Sequence, residues 1–249
     1  MADPLRLYGL KALVTNAASG IGEAVSRTLI KHGATVLAVD TINSGVEQHF
    51  ASVKGIDGHT ANLTDATRMP ALIEDAVDHL GGIDILVNDF PLQPGTPISD
   101  GDAALDKLLE SRADLIMSIC RSALPHLKKS PSGRIISVGF LRSIFAAKGS
   151  DAFATAEHDL AQITRAIGAE TGEFGITANY IQPGAIMTPA SRDAFRKDLT
   201  LRDFCIAHSA AQRLGEPVDV AKVALFLASD DAAFVSGTGV AVDGGRTGS

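Results

Sequence analysis

The sequence predicts a Rossmann-type doubly wound α/β fold: a parallel sheet with helices on both faces, in a single domain spanning residues 1–249. Three observations predict it. Short β-branched runs alternate with longer amphipathic ones along the whole chain. A glycine-bearing turn joins the first such pair, and no composition break, long linker or repeat divides the rest.

In chain order, the strand-like runs are KALVT (11–15), ATVLAVD (34–40), HTANL (59–63), IDILVN (83–88), GRIISV (133–138), ITANYIQPG (176–184) and GTGVAVDGG (237–245). Each is a short apolar or β-branched run of the kind that a sheet covered on both faces buries. Helical patterns fall between them at 20–32, 67–80, 102–128, 152–172 and 217–228. Strand, helix and strand repeated in this way predict right-handed crossovers and a parallel sheet. The segment 190–213, SRDAFRKDLTLRDFCIAHSAAQRL, is more charged and has no strand pattern. Because it follows a strand end it is expected to be a lid or a partner-facing flap, with an exposed helical pair as the plainer alternative.

With 45% hydrophobic and 20% charged residues, the chain can bury a large core. Its net charge of −7, with no Lys/Arg run interleaved with aromatics, argues against nucleic acid and anionic membranes as partners. No apolar stretch reaches the length needed to span a bilayer, so a cytoplasmic location is expected. Cys120 and Cys205 form neither a disulfide framework nor a CxxC site and read as buried free thiols; the histidines lack zinc-ligand spacing, so no metal is expected.

The turn TNAASGIG (15–22) leads from the first strand into the first helix. Gly20 and Gly22 would let the backbone approach a pyrophosphate at a helix N-terminus. Asp40, at the end of the second strand, stands where an acid accepts from an adenosine ribose and repels a 2′-phosphate, which favours NAD over NADP. The alternatives stay open: a strand-to-helix turn can need both glycines for itself, and Asp40 can be an ordinary strand-end residue.

TxxxxGIG, ALPHLKKSPSGRIISV, ITANYIQPGAIMTP and RLGEPVDVAKVALFLASDDAAFVSGTGVAVDGG together resemble the short-chain dehydrogenase/reductase family over nearly the whole chain. The resemblance implies an NAD(P)-dependent oxidoreductase whose Asn, Ser, Tyr and Lys perform the chemistry. Aligned on those motifs, Arg112 holds the Asn place, Phe140 the Ser place, Phe153 the Tyr place and Glu157 the Lys place. A benzyl ring has no proton to transfer, and a carboxylate at 157 would push a neighbouring phenol's pKa up instead of down. No Tyr-x-x-x-Lys pair exists anywhere in the chain, whose two tyrosines are Tyr8 and Tyr180.

The cofactor side departs as well. Asn16 replaces the family's first glycine, an exchange the turn tolerates because Asn visits left-handed backbone. Asn62 stands where an Asp meets adenine, and VNDFP (87–91) replaces an Asn-Asn-Ala-Gly pattern: Asn88 remains, while Phe90 and Pro91 are expected to crowd the adenosine. The candidate cofactor-binding set is therefore Gly20, Gly22, Asp40, Asn62 and Asn88, vestigial, for NAD if for any cofactor. A dehalogenase branch of the fold shares the TN and ND signatures but keeps a Ser, a Tyr and an Arg to which Phe140, Phe153 and Glu157 have no likeness. A new acid/base site from Asp151, Glu157, His158 and Arg142 is a further alternative, against which a Glu near a helix N-terminus is already explained by the helix dipole.

The assembly segments of the family, near 102–128, 152–172 and the last helix and strand, keep their form. The expectation is therefore a non-catalytic subunit paired with an active, NAD-dependent subunit of the same family, two plus two in a heterotetramer. Such degenerate subunits occur in family dehydrogenases acting on acyl-CoA thioesters, one of them in anaerobic toluene breakdown. The opposing expectation is a divergent NAD-dependent oxidoreductase acting alone on an alcohol or ketone.

Overall fold

The structure, a computed structural model, describes residues 6–90, 103–139 and 151–246, with side chains from 111 and 157 onward in the two helices that open the later segments. The elements are β1 (Lys11–Thr15), α1 (Gly20–Lys31), β2 (Thr35–Asp40), α2 (Val46–Phe50), β3 (Ile56–Thr60), α3 (Met69–Leu80), β4 (Ile85–Asn88), α4 (Ala103–Leu127), β5 (Arg134–Val138), α5 (Asp151–Thr171), β6 (Thr177–Pro183), α6 (Pro189–Lys197), α7 (Leu199–Ala207), α8 (Pro217–Ala228) and β7 (Gly239–Val242). The strands form one sheet in the order β3-β2-β1-β4-β5-β6-β7, every pairing parallel.

The apolar runs of the strands are buried on both faces, as a parallel sheet requires. One core layer packs Val25 and Leu29 of α1 with Val220, Ala224 and Ala228 of α8 against Val14, Val36 and Ile136. The opposite layer packs Leu72 and Ile73 of α3, Ile119 and Ala123 of α4 and Leu160 of α5 against Leu13, Leu86 and Ile135. Cys120 and Cys205 are buried free thiols, as the sequence predicts. No described helix is long and apolar enough to cross a membrane.

One predicted element moves. The third strand is IDGHT (56–60), not HTANL (59–63). Its apolar pattern is weak because it is an edge strand roofed by α2, whose backbone lies so close that a Cβ on Gly58 would strike the carbonyl of Val46. HTANL instead marks where the chain leaves the sheet, after the bond from Ala61 N–H to the Asp40 carbonyl. The charged segment 190–213 contains two helices, α6 and α7, anchored by buried Phe195 and Cys205. A Thr188–Ser191 capping box starts α6, and Asp198 caps α7 through Leu201 N–H.

At the other edge, the Tyr180 ring of β6 crosses Gly239 of β7, and a Cβ there would collide with the ring and its hydroxyl. Gly239→Ala is expected to cost about 1–3 kcal/mol by overpacking, a fall of roughly 2–10 °C in Tm. In a Tyr180→Ala background the same exchange is expected to cost less, which thermal unfolding of the four variants checks.

Candidate functional site

Strand order reverses between β1 and β4, so the crevice that such sheets offer to ligands lies beyond the C-terminal ends of these two strands. In this chain the crevice is crossed by the protein's own bonds. Thr15 Oγ1 donates to the Asp89 carbonyl at 2.6 Å and accepts the Asp89 N–H at 2.9 Å. Asn16 Nδ2 donates to Asp89 Oδ2 at 3.0 Å. Asn16 has the left-handed φ of 52° that the sequence predicts for it.

The glycine turn has internal reasons for its residues. Gly20 has a φ of 62°, and a Cβ there would stand 3.3 Å from Thr188 Cγ2 at the start of α6. At Gly22 a Cβ would run into the Asn16 carbonyl. Asp40 is 5% exposed; its Oδ2 accepts from Ala18 N–H at 2.8 Å and its Oδ1 from Thr41 N–H at 2.7 Å. It therefore clamps the turn. Asn62 is exposed, and its Oδ1 accepts from the N–H and hydroxyl of Thr64 in a local turn.

Asn88 faces away from the crevice. Its Nδ2 donates to Cys120 Sγ of α4 at 3.2 Å and lies 3.4 Å from Ser137 Oγ, while its buried Oδ1 has no hydrogen-bond partner among the described residues. Burial pushes the Cys120 thiol up to about 12 against the opposing contact of Asn88, which suits a packed thiol and not a nucleophile. Phe90 corrects an expectation: its ring is 2% exposed in the core layer beneath α4 and α5 and does not crowd the adenosine side. A large apolar side chain at a strand end gains more from the core than from a wet crevice. Pro91 lies outside the described residues, as do Phe140 and Arg142.

Arg112 is buried, and its Nη2 donates to the Val138 carbonyl at the end of β5, at 2.6 Å. Burial lowers the guanidinium pKa to about 10, opposed by the negative charge of Asp89. Asp89 responds in kind: burial raises its pKa, Arg112 and Asn16 lower it, and Asp40 raises it again. A second acid thus stands against the glycine turn, bonded to Asn16, where a dinucleotide would bring its doubly charged pyrophosphate. With Asn62 spending its amide oxygen on Thr64 and an acid standing against the glycine turn, the residues present do not fit NAD in the manner the resemblance implies.

On the catalytic side, Phe153 lies in the first turn of α5, its side chain outside the described residues, as is that of Asp151. One turn later, Glu157 Oε1 accepts from Gln182 Nε2 of β6 at 2.8 Å, tying helix to sheet. His158 is exposed beside Gln162 at 3.3 Å, so the described residues do not join it to Glu157 in an acid/base pair. Two residues of the site were not singled out from the sequence, Asp89 and Gln182. An acid embedded in the apolar strand end of VNDFP is a signal for the first; Gln182 has none, because its partner is 25 positions away.

A sequence model described as enoyl-(acyl carrier protein) reductase matches residues 16–247. The chain is 28% identical to the 3-oxoacyl-[acyl-carrier-protein] reductase FabG of Thermotoga maritima, over 97% of this chain and 99% of that one. It is 30% identical to the (2S)-[(R)-hydroxy(phenyl)methyl]succinyl-CoA dehydrogenase subunit BbsD of Thauera aromatica, over 95% of this chain and 96% of that one. Among solved structures, levodione reductase superposes with a TM-score of 0.84 at 26% identity, covering 96% of this chain and 98% of its own. Fold, motif and relatives agree that the chain belongs to the short-chain dehydrogenase/reductase family of oxidoreductases.

Proposed function

We propose that this chain is a non-catalytic subunit of an NAD-dependent dehydrogenase, paired in a hetero-oligomer, two plus two, with an active subunit of the same family. The observation that carries the reading is Glu157: the place of the family's ammonium holds a carboxylate already bonded to Gln182. A carboxylate cannot lower a phenol's pKa, and residue 153 has no phenol. Arg112 at the Asn place is likewise committed to the Val138 carbonyl. The crevice supports the same reading through the poor fit of NAD described above.

The outer side of the fold is suited to a partner. Phe234 is fully exposed beside edge strand β7, and Val218 and Phe226 add apolar surface on α8. The relative from Thauera aromatica is itself named as a subunit, of a dehydrogenase acting on a CoA thioester. An active partner handling such an acyl-CoA, 2-[hydroxy(phenyl)methyl]succinyl-CoA in anaerobic toluene degradation being the specific case, is the corresponding proposal here.

Native mass spectrometry of the tagged chain isolated from its own cells is the direct test. A complex with a second chain of similar mass that carries Tyr-x-x-x-Lys is the expected result. A homo-oligomer that oxidises alcohols with NAD+ would overturn the reading in favour of a divergent enzyme acting alone. The triple variant Phe140→Ser, Phe153→Tyr, Glu157→Lys is expected to show no NAD(H)-linked turnover, since Arg112, Asp89 and Asn16 remain; absorbance at 340 nm checks it. NAD+ at millimolar concentration is expected to leave the Tm of the isolated chain unchanged, whereas a ligand present at 100 times its Kd would add about 2.7 kcal/mol.

A further inference from the structure

Phe234 is the most exposed large apolar side chain among the described residues, yet the chain on either side of it is tied down. On the approach, Asp231 pairs with Arg6 at 2.9 Å, Asp230 pairs with buried Arg134 at 3.2 Å, and Ala232 is fully buried. Beyond the ring, Val235 N–H donates to the Ala232 carbonyl, the Val235 carbonyl accepts from buried Asn179 at 2.7 Å, and Gly237 N–H donates to the Ala178 carbonyl. A single exposed Phe is ordinary. One on a corner fixed in this way loses little freedom when it enters an apolar pocket.

The same edge of the sheet ends in a pocket. Phe234 lies ahead of edge strand β7, and past the other end of that strand is a cavity of about 230 Å³ bounded by Ile186, Cys205, Ala211, Val242 and Gly245. A dry cavity of about 150 Å³ is enough to hold benzene. The polar lining is already bonded within the chain: Arg213 to Asp219 at 2.8 Å, Gly245 N–H to Asp243 Oδ1 at 3.0 Å, and Ser209 Oγ to the Asp243 carbonyl at 3.3 Å. What remains for an entering group is apolar wall, which suits a ring. Between the two ends, Val218 and Phe226 expose apolar surface along α8.

A two-fold axis through the middle of β7 carries the start of the strand onto its end. Two copies meeting edge to edge therefore bring each Phe234 to the other's pocket, so one ring and one pocket are each used twice. We infer that the β7 edge takes a second copy of this chain, with the Phe234 ring of each copy seated in the pocket between α7 and the end of β7 of the other. An unrelated partner would have to supply both a hole for Phe234 and a ring for the pocket. A second copy has both.

This inference does not rest on the subunit reading above. In the two-plus-two complex the β7 edge would join the two copies of this chain and leave the active subunit to another face.

The test is sedimentation of the purified full chain at micromolar concentration with no other protein present. The expected species has at least twice the chain mass, and Phe234→Ser is expected to weaken its association by about tenfold or more. Ala211→Phe fills the pocket from an exposed wall position and is expected to have the same effect. The two changes together are expected to weaken association no further than the stronger single, because both remove one contact. Both positions are exposed, so the variants fold, which circular dichroism checks. A monomeric parent chain, or either single variant associating as tightly as the parent, would overturn the inference. None of these outcomes bears on the subunit reading, which depends on finding a second, catalytic chain in the cell.

Discussion

A carboxylate taken out of water must be met by donors or by a cation, and Asp89 imposes that requirement at the centre of this fold. It sits where strand order reverses, so whatever satisfies it also joins the two halves of the sheet. Asn16 Nδ2 donates to its carboxylate, and Thr15 Oγ1 bonds to its main chain on both the carbonyl and the N–H. Leaving a buried polar group without its donor typically costs about 1–3 kcal/mol, a sizeable share of the stability of a domain. The same bonds that stabilise the chain cross the space in which relatives of the fold receive ligands.

The site reads as a family scaffold in which polar groups have turned inward. Asp40 holds the glycine turn, Asn88 faces Cys120, Asn62 closes its own turn, and Glu157 bonds to Gln182. These side chains have the right chemistry to bind something, yet each makes its bonds within the protein. Gly20 and Gly22 follow the same logic, since their lack of a side chain is required by Thr188 and by the Asn16 carbonyl. A motif can persist because the fold needs it, independently of any ligand.

Much of the architecture was legible in the residues. The long amphipathic patterns and the buried β-branched runs translate into α1, α3, α4, α5 and α8 and into six of the strands within a few residues, because burial on one or both faces acts along the chain itself. β3 was displaced because an edge strand roofed by α2 has no strong apolar signature. The five-residue α2 is too short for a helical period to show. The absence of a Tyr-x-x-x-Lys pair was equally legible, being a property of order alone.

What the sequence by itself determined is the doubly wound fold, the absence of any Tyr-x-x-x-Lys pair, and the left-handed backbone at Asn16; each depends on local pattern or on residue chemistry at one position. What only the tertiary structure decided is where the replacing side chains go: Phe90 into the core, Glu157 to Gln182, Asn16 to Asp89 and Arg112 to the Val138 carbonyl. The physical reason is that burial and pairing are set by neighbours in space. Until β1 lies beside β4 and α4 packs on β4 and β5, nothing in the order of residues says that a guanidinium and a carboxylate 23 positions apart will share one interior.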